Sequence, residues 1–170
     1  MPVTAVTFGL GYLAIIGVPP FAGFYSKDKI IEVAFNAGGV KGIIFGGAAL
    51  LGAAITAFYM SRVMLMTFAG NKRWAGDAHP HESPILMWAP MAVLAVGSVT
   101  SGFLLNKGSA MVNWLVPVVD KHHHEHSEVI PTATVSVMAI AAVVIGVASA
   151  VMKYRGELAE VAPEIGRAHV

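Results

Sequence analysis

Cysteine is absent from this chain, and charge is scarce: Asp, Glu, Lys and Arg together make up 12% of its 170 residues, against about 25% in a soluble domain. Without thiolates the chain offers neither a disulfide nor a ligand set for an iron–sulfur cluster, so its composition is silent on redox compartment and places any electron transfer elsewhere. The formal net charge is +1, and the longest basic stretch is the pair Lys72-Arg73. That argues against nucleic acid or an anionic lipid surface as partner. The apolar run that opens at Val3 lacks the positively charged residues that precede it in a secretory signal, which argues against a leader peptide.

What is plentiful is apolar surface. Hydrophobic residues form 56% of the chain and the mean hydropathy is +0.68. They gather into runs of roughly 18 or more, the length a helix needs to cross a hydrocarbon core about 30 Å thick. The pattern predicts an all-α, polytopic transmembrane bundle over 1–153, with the bilayer as its solvent. About four crossings are expected, at 3–35, 42–68, 85–105 and 131–152, followed by a polar tail over 154–170. No internal repeat is apparent.

The first of these crossings is predicted to be discontinuous. Pro19-Pro20 removes two backbone donors and disfavours helix at the residue before, while Gly23 adds backbone freedom, so one continuous helix does not fit. In the second run, Gly42 and Gly46 are spaced as a small-xxx-small face that admits a neighbouring backbone. Ser83-Pro84 reads as a cap and first position of the third crossing, Pro90 as a kink inside it, and Trp88 as an interfacial anchor. Residues 111–119 read as a helix lying along the surface. Lys72, Arg73, Lys153, Arg155 and Arg167 outnumber Lys41, Lys107 and Lys121, which puts the 70–83 loop and the tail on the cytoplasmic side of the cell's inner (plasma) membrane.

The most informative stretch is Tyr25-Ser26-Lys27-Asp28-Lys29-Ile30-Ile31-Glu32, where four ionisable residues follow the predicted break. Irregular backbone at membrane depth is tolerated where protein or a water-filled cavity satisfies it, and charges in such places mark ion pathways. The plain alternative is a helix end at the interface with snorkelling lysines. Spacing leaves both open, because 3–35 as straight helix would measure about 50 Å, too long for one upright crossing. Asp28 and Glu32 share one helical stripe, roughly 100° round from Lys27. Tyr25 and Ser26 can bond pathway water, though a membrane serine more often satisfies a backbone carbonyl.

Other polar residues have plainer readings. Arg62 either snorkels or makes an interhelical salt bridge. His79, His81 and Glu82 are expected to fold a short loop, and His122, His123, His124 and His126 to lie on a solvated loop, so no metal site is expected at either. Gly9-Leu10-Gly11-Tyr12-Leu13-Ala14 fits the GxGxxA form of a dinucleotide fingerprint, but it lies inside an apolar run, so helix-packing glycines explain it better and no cofactor is expected.

Gly17-Val18-Pro19-Pro20-Phe21-Ala22-Gly23-Phe24-Tyr25-Ser26-Lys27-Asp28 resembles the discontinuous-helix motif of the antiporter-like subunits of proton-pumping NADH:quinone oxidoreductase, respiratory complex I. The Ser-Lys-Asp ending is similar to the subunit L branch. Ala57-Phe58-Tyr59-Met60-Ser61-Arg62 and His79-Pro80-His81-Glu82-Ser83-Pro84 resemble the same branch, in order.

The resemblance covers most of this chain and about the last third of the family's full subunit, so the chain looks like a fragment that should not pump alone. It implies proton translocation coupled to quinone reduction elsewhere in the complex. The implied partners are the other membrane subunits and the earlier helices of the same subunit. Lys27 would be the buried lysine of the broken helix, giving access toward the periplasmic side, and Asp28 its acidic neighbour in proton transfer. The physics suits that role, since desolvation disfavours an ammonium and brings charged and neutral forms of lysine close in energy, whereas an arginine would stay charged. The large subunit of the multi-subunit sodium/proton antiporter is a similar family and the first alternative. A membrane scaffold without transport, with Lys27 at an interface, is the second.

Overall fold

The structure, a computed structural model, describes residues 1–69, 81–119 and 130–155. The histidines at 122–126, His79, most of the 70–83 loop and the tail beyond Arg155 lie outside the described residues.

Six α-helices run in chain order: α1 (Pro2–Ile16), α2 (Ala22–Asn36), α3 (Gly39–Met64), α4 (Ile85–Asn106), α5 (Ala110–Val119) and α6 (Thr132–Tyr154). A π-helical turn, Leu65–Ala69, extends α3, and a 3-10 turn, Lys107–Ser109, extends α4. With these extensions α3, α4 and α6 are long and apolar enough to cross a membrane, and α1 is a shorter apolar helix of 15 residues. The described residues form an all-α membrane bundle, as the hydropathy pattern predicts.

The interruption of the first apolar run is built as its residues dictate. Pro2 stands in the first turn of α1, where a missing N–H costs no intrahelical bond. The helix ends at Gly17, whose φ of 85° is left-handed, a conformation that a side chain resists. The amides of Gly17 and Val18 turn back to the carbonyls of Ala14 and Leu13, closing the helix end as a Schellman motif does. Pro19 and Pro20, joined by a cis peptide, carry the chain round to Phe21, whose extended backbone caps α2. Gly23 sits so close to α1 that a Cβ there would run into the Ala14 carbonyl. The glycines and tyrosine of the nucleotide-like motif lie within α1; a Cβ on Gly9 would meet the Met64 side chain, while Gly11 faces open space.

Around this break the other helices pack through small residues. The α3–α6 interface is the most extensive in the chain, α2 lies on α3 and α4, and α1 lies on α4 and α3. Gly42 and Gly46 do admit a neighbour: a Cβ on either would meet Phe35 of α2, at its carbonyl or its ring. Gly102 of α4 rests against Ala22 and Tyr25, and Gly146 of α6 against Ala54 and Ala57 of α3. The buried core joins Ile31 and Phe35 of α2 with Ala53 of α3 and Val135 and Ala139 of α6. Elsewhere the helices turn large apolar side chains outward, among them Leu86 at 86% exposure and Met152 at 78%. Such surfaces suit hydrocarbon or further helices better than water.

One expectation about a helix start needs adjustment. Pro84, not Ser83, occupies the cap position of α4, and no side chain caps that helix. Pro84 has an extended ψ of 156°, so the helix begins one residue later than the Ser-Pro pattern implies. Pro90 lies inside α4, which continues through it to Asn106. The stretch expected to lie along the surface is helical: α5 follows the tight turn at Gly108 and Ser109, touches α4, and exposes Trp114 at 74%.

Candidate functional site

The break leaves polar groups that the helices cannot satisfy by themselves. The last four carbonyls of a helix lack intrahelical partners and carry the negative end of its dipole. At the end of α1, the Ala14 and Leu13 carbonyls are taken by the following amides. The Ile15 carbonyl instead accepts a hydrogen bond of 2.6 Å from the Lys27 ammonium, which reaches back from the second turn of α2. Sequence order explains the reach: five residues of break fold α2 onto the end of α1 and leave Lys27 beside the left-handed Gly17.

Asp28 points elsewhere, into the bundle, and is only 9% exposed. A cavity of about 10 Å³ lies between the end of α1 and helices α2, α3 and α6, lined by Lys27 and Asp28 and otherwise by apolar residues such as Ile16, Ile31, Ala53 and Ala139. That is about the space one water needs. One carboxyl oxygen of Asp28, Oδ2, is buried and has no hydrogen-bond partner among the described residues. A buried polar atom left without a partner is costly, so the position has room and reason for a water or another polar group. Lys27 and Asp28 make no direct ion pair among the described residues. They are instead a half-buried amine and a buried carboxyl lining one small cavity.

One turn further along α2, Glu32 is held at two points. Lys29 approaches one carboxylate oxygen at 2.8 Å and the Thr132 hydroxyl of α6 donates to the other at 3.1 Å. Nearby, the Asn36 side chain accepts from the Ile130 amide at 3.3 Å. These bonds tie the C-terminal end of α2 to the N-terminal end of α6.

The neighbours of the pair divide into those that join it and those that do not. Ser26 turns its hydroxyl back toward the carbonyls of Ala22 and Gly23, the structural use a membrane serine usually has. Tyr25 meets Phe24 edge-on, with ring centroids 5.5 Å apart. Arg62 sits with its guanidinium 5.4 Å from the centre of the Tyr154 ring on α6, a cation–π contact where the sequence predicts snorkelling or a salt bridge. His81 contacts the Glu82 carbonyl at 3.1 Å. Glu82 itself reaches α1, accepting from the amide and the hydroxyl of Thr4 at 3.0 and 2.6 Å. It thereby serves an otherwise unbonded amide in the first turn of that helix.

Two features escape a reading of the sequence. Tyr12 and Ser61, polar residues in largely apolar runs, meet across α1 and α3 at 2.8 Å; their polarity is visible but their pairing is not. The Ile15 carbonyl leaves no mark at all, because a backbone acceptor has no letter of its own.

An all-α bundle with an interrupted helix and ionisable side chains at the interruption defines a multi-pass membrane protein of the discontinuous-helix type. Comparison with known proteins is specific within that class. Residues 1–56 match the family described as NADH:quinone oxidoreductase/Mrp antiporter, transmembrane. Over 91% of its length the chain is 58% identical to NADH-quinone oxidoreductase subunit L of Mycobacterium tuberculosis (strain H37Rv), covering 24% of that protein. It is 45% identical over 61% of its length to NAD(P)H-quinone oxidoreductase chain 5 of a Picosynechococcus species, covering 18% of it. It is 42% identical, again over 61%, to subunit L of Rickettsia bellii, covering 16% of it. The chain is thus similar to the antiporter-like subunit L of NADH-quinone oxidoreductases, and it spans about a quarter of the length of the M. tuberculosis relative.

Proposed function

We propose that this chain forms part of a proton path through the membrane arm of an NADH:quinone oxidoreductase, with the energy supplied by quinone reduction elsewhere in the complex. Lys27 and Asp28 are the proton-transfer residues. The observation that carries this reading is their convergence on one water-sized cavity beside the helix break. It is supported by the relatives, which are named as subunits of such oxidoreductases.

In this reading α1 and α2 together make one crossing, α3, α4 and α6 make three more, and the partners are the bilayer, the remaining helices of subunit L and the neighbouring membrane subunits. The 70–83 loop and the tail face the cytoplasm, and the joined ends of α2 and α6 face the opposite side. Lys27 takes up a proton as ammonium, held by the Ile15 carbonyl, and releases it through the cavity to Asp28. α1 is 15 residues long, so by length the amine lies about 22 Å from the start of that helix, near mid-bilayer in an upright crossing.

The test is Lys27→Ala in a full-length subunit carrying this segment, in the assembled complex in inverted membrane vesicles. The proton-to-electron ratio is expected to fall while the complex still assembles. An unchanged ratio would overturn the proposal and favour a scaffold. The family description also names the Mrp antiporter, so the same vesicles should be assayed with and without sodium. Sodium-independent translocation is the expected result, and a strict sodium requirement would move the assignment to sodium/proton exchange.

A further inference from the structure

Beyond the pair at the break, α2 carries a second carboxylate, Glu32, one turn on from the cavity-lining Asp28. Asp28 and Glu32 are one helical turn apart on α2, so they face the same way along its axis. Asp28 is buried with one oxygen unpartnered. The Glu32 side chain is 12% exposed, whereas Lys29, paired with it at 2.8 Å, is 67% exposed. Burial is therefore greatest at Asp28 and slightly less at Glu32, one turn nearer the end of the bundle where α2 meets α6, and the Lys29 paired with Glu32 is open to solvent. Thr132, which bonds Glu32, stands in the first turn of α6, where free amides and the helix dipole favour a negative charge. The surroundings thus hold a carboxylate in place, while its Lys29 contact opens to solvent.

We infer that Glu32 is the exit relay for protons leaving Asp28, which rests on the proton-path reading above. A proton leaves the Asp28 carboxyl, crosses one helical turn through water and neutralises the Glu32 carboxylate, which gives it up to water beside Lys29. No electron moves: Glu32 ends ionised as it began, and Asp28 is left ionised until Lys27 supplies the next proton. Neutral Glu32 keeps its hydrogen bond from Thr132 but loses the attraction of Lys29. That frees the exposed ammonium to swing away, and its return speeds release by favouring the ionised carboxylate. Lys29 is a positioning residue in this scheme, while Glu32 carries the proton.

The experiment measures the proton-to-electron ratio in the assembled complex for four variants of the full-length subunit. Glu32→Gln keeps the size of the side chain and an oxygen for Thr132 to bond, but cannot carry the proton; its ratio is expected to fall as far as that of Lys27→Ala. Thr132→Val removes the hydroxyl and leaves the carboxyl; it is expected to keep the wild-type ratio. Wild-type pumping in Glu32→Gln beside a lowered ratio in Lys27→Ala would overturn the relay alone. Wild-type ratios in both would overturn the proton-path reading itself. Equal losses in Glu32→Gln and Thr132→Val would make Glu32 a clamp between α2 and α6, and overturn the relay. If Glu32→Gln fails to assemble, Glu32→Asp decides: it keeps a titratable group one methylene shorter, and a wild-type ratio supports the relay while a ratio as low as that of Lys27→Ala overturns it.

Discussion

The α1–α2 break and the α3–α6 interface both bring backbones close together through glycine, yet they differ in what they leave unsatisfied. Where Gly146 meets Ala54 and Ala57, two continuous helices satisfy their own backbones, and the contact is made of small apolar residues. Where Gly23 meets Ala14, a helix has ended, a carbonyl is free and an ammonium has come to it. Small residues alone make a tight joint. A tight joint with an interrupted helix makes a place where charge can reside in a membrane, because the freed backbone groups supply the dipoles that hydrocarbon lacks.

That contrast can be broken from either side. The largest effect is expected from Gly146→Leu, which drives a side chain into the backbone of α3 at Ala54. Overpacking of this kind costs about 1–3 kcal/mol or more, and the amount of assembled subunit in membranes should drop sharply. Lys27→Arg should leave assembly intact but abolish proton translocation, since the guanidinium keeps its proton; measurable pumping would show that the amine at the break need not titrate. Gly17→Ala forces a side chain into a left-handed conformation at φ 85°, a strain of about 1–2 kcal/mol. It should lower both thermal stability in detergent and pumping, whereas a matching Gly52→Ala in open space on α3 should alter neither. Tyr12→Phe deletes the bond to Ser61, worth about 0.6 kcal/mol in membrane interiors, and should shift the melting temperature only slightly.

The smallest effect lies outside the bundle, at Glu82. The Thr4 hydroxyl, aided by backbone hydrogen bonds, holds this carboxyl below its ordinary value of 4.5 despite opposing desolvation. A carboxyl lowered on folding contributes its stability fully above the ordinary value and loses it as pH falls through the lowered one. Melting temperatures followed downward from pH 5 should therefore decline slightly more in the parent than in Glu82→Gln, which has no proton to take up there.

Much of this arrangement is legible in the residues, for physical reasons that also mark where legibility ends. Pro19-Pro20 announces the break because proline acts on its own backbone, and Gly42 and Gly46 announce a close neighbour because their spacing matches the helical turn. Lys27 and Asp28 stand out because charge is rare in apolar surroundings. Their division of labour is not legible: adjacent residues point about 100° apart, and only packing against α6 decides that Asp28 is the one enclosed. Ser83 reads as a cap because serine usually accepts from the first turn, yet Pro84 takes that position. Arg62 reads as a snorkelling side chain or half of an ion pair, but it meets Met66 and the ring of Tyr154, 92 residues along the chain.

The acceptor facing Lys27 is main chain, and this has a consequence for how such a residue works. Evolution can exchange side chains around the amine, but the oxygen of residue 15 persists through every substitution except one that unwinds the turn. It also cannot take the proton itself. On the proposed path, loss of the proton would weaken the hold of the amine on that oxygen and so couple the charge at residue 27 to the end of the preceding helix.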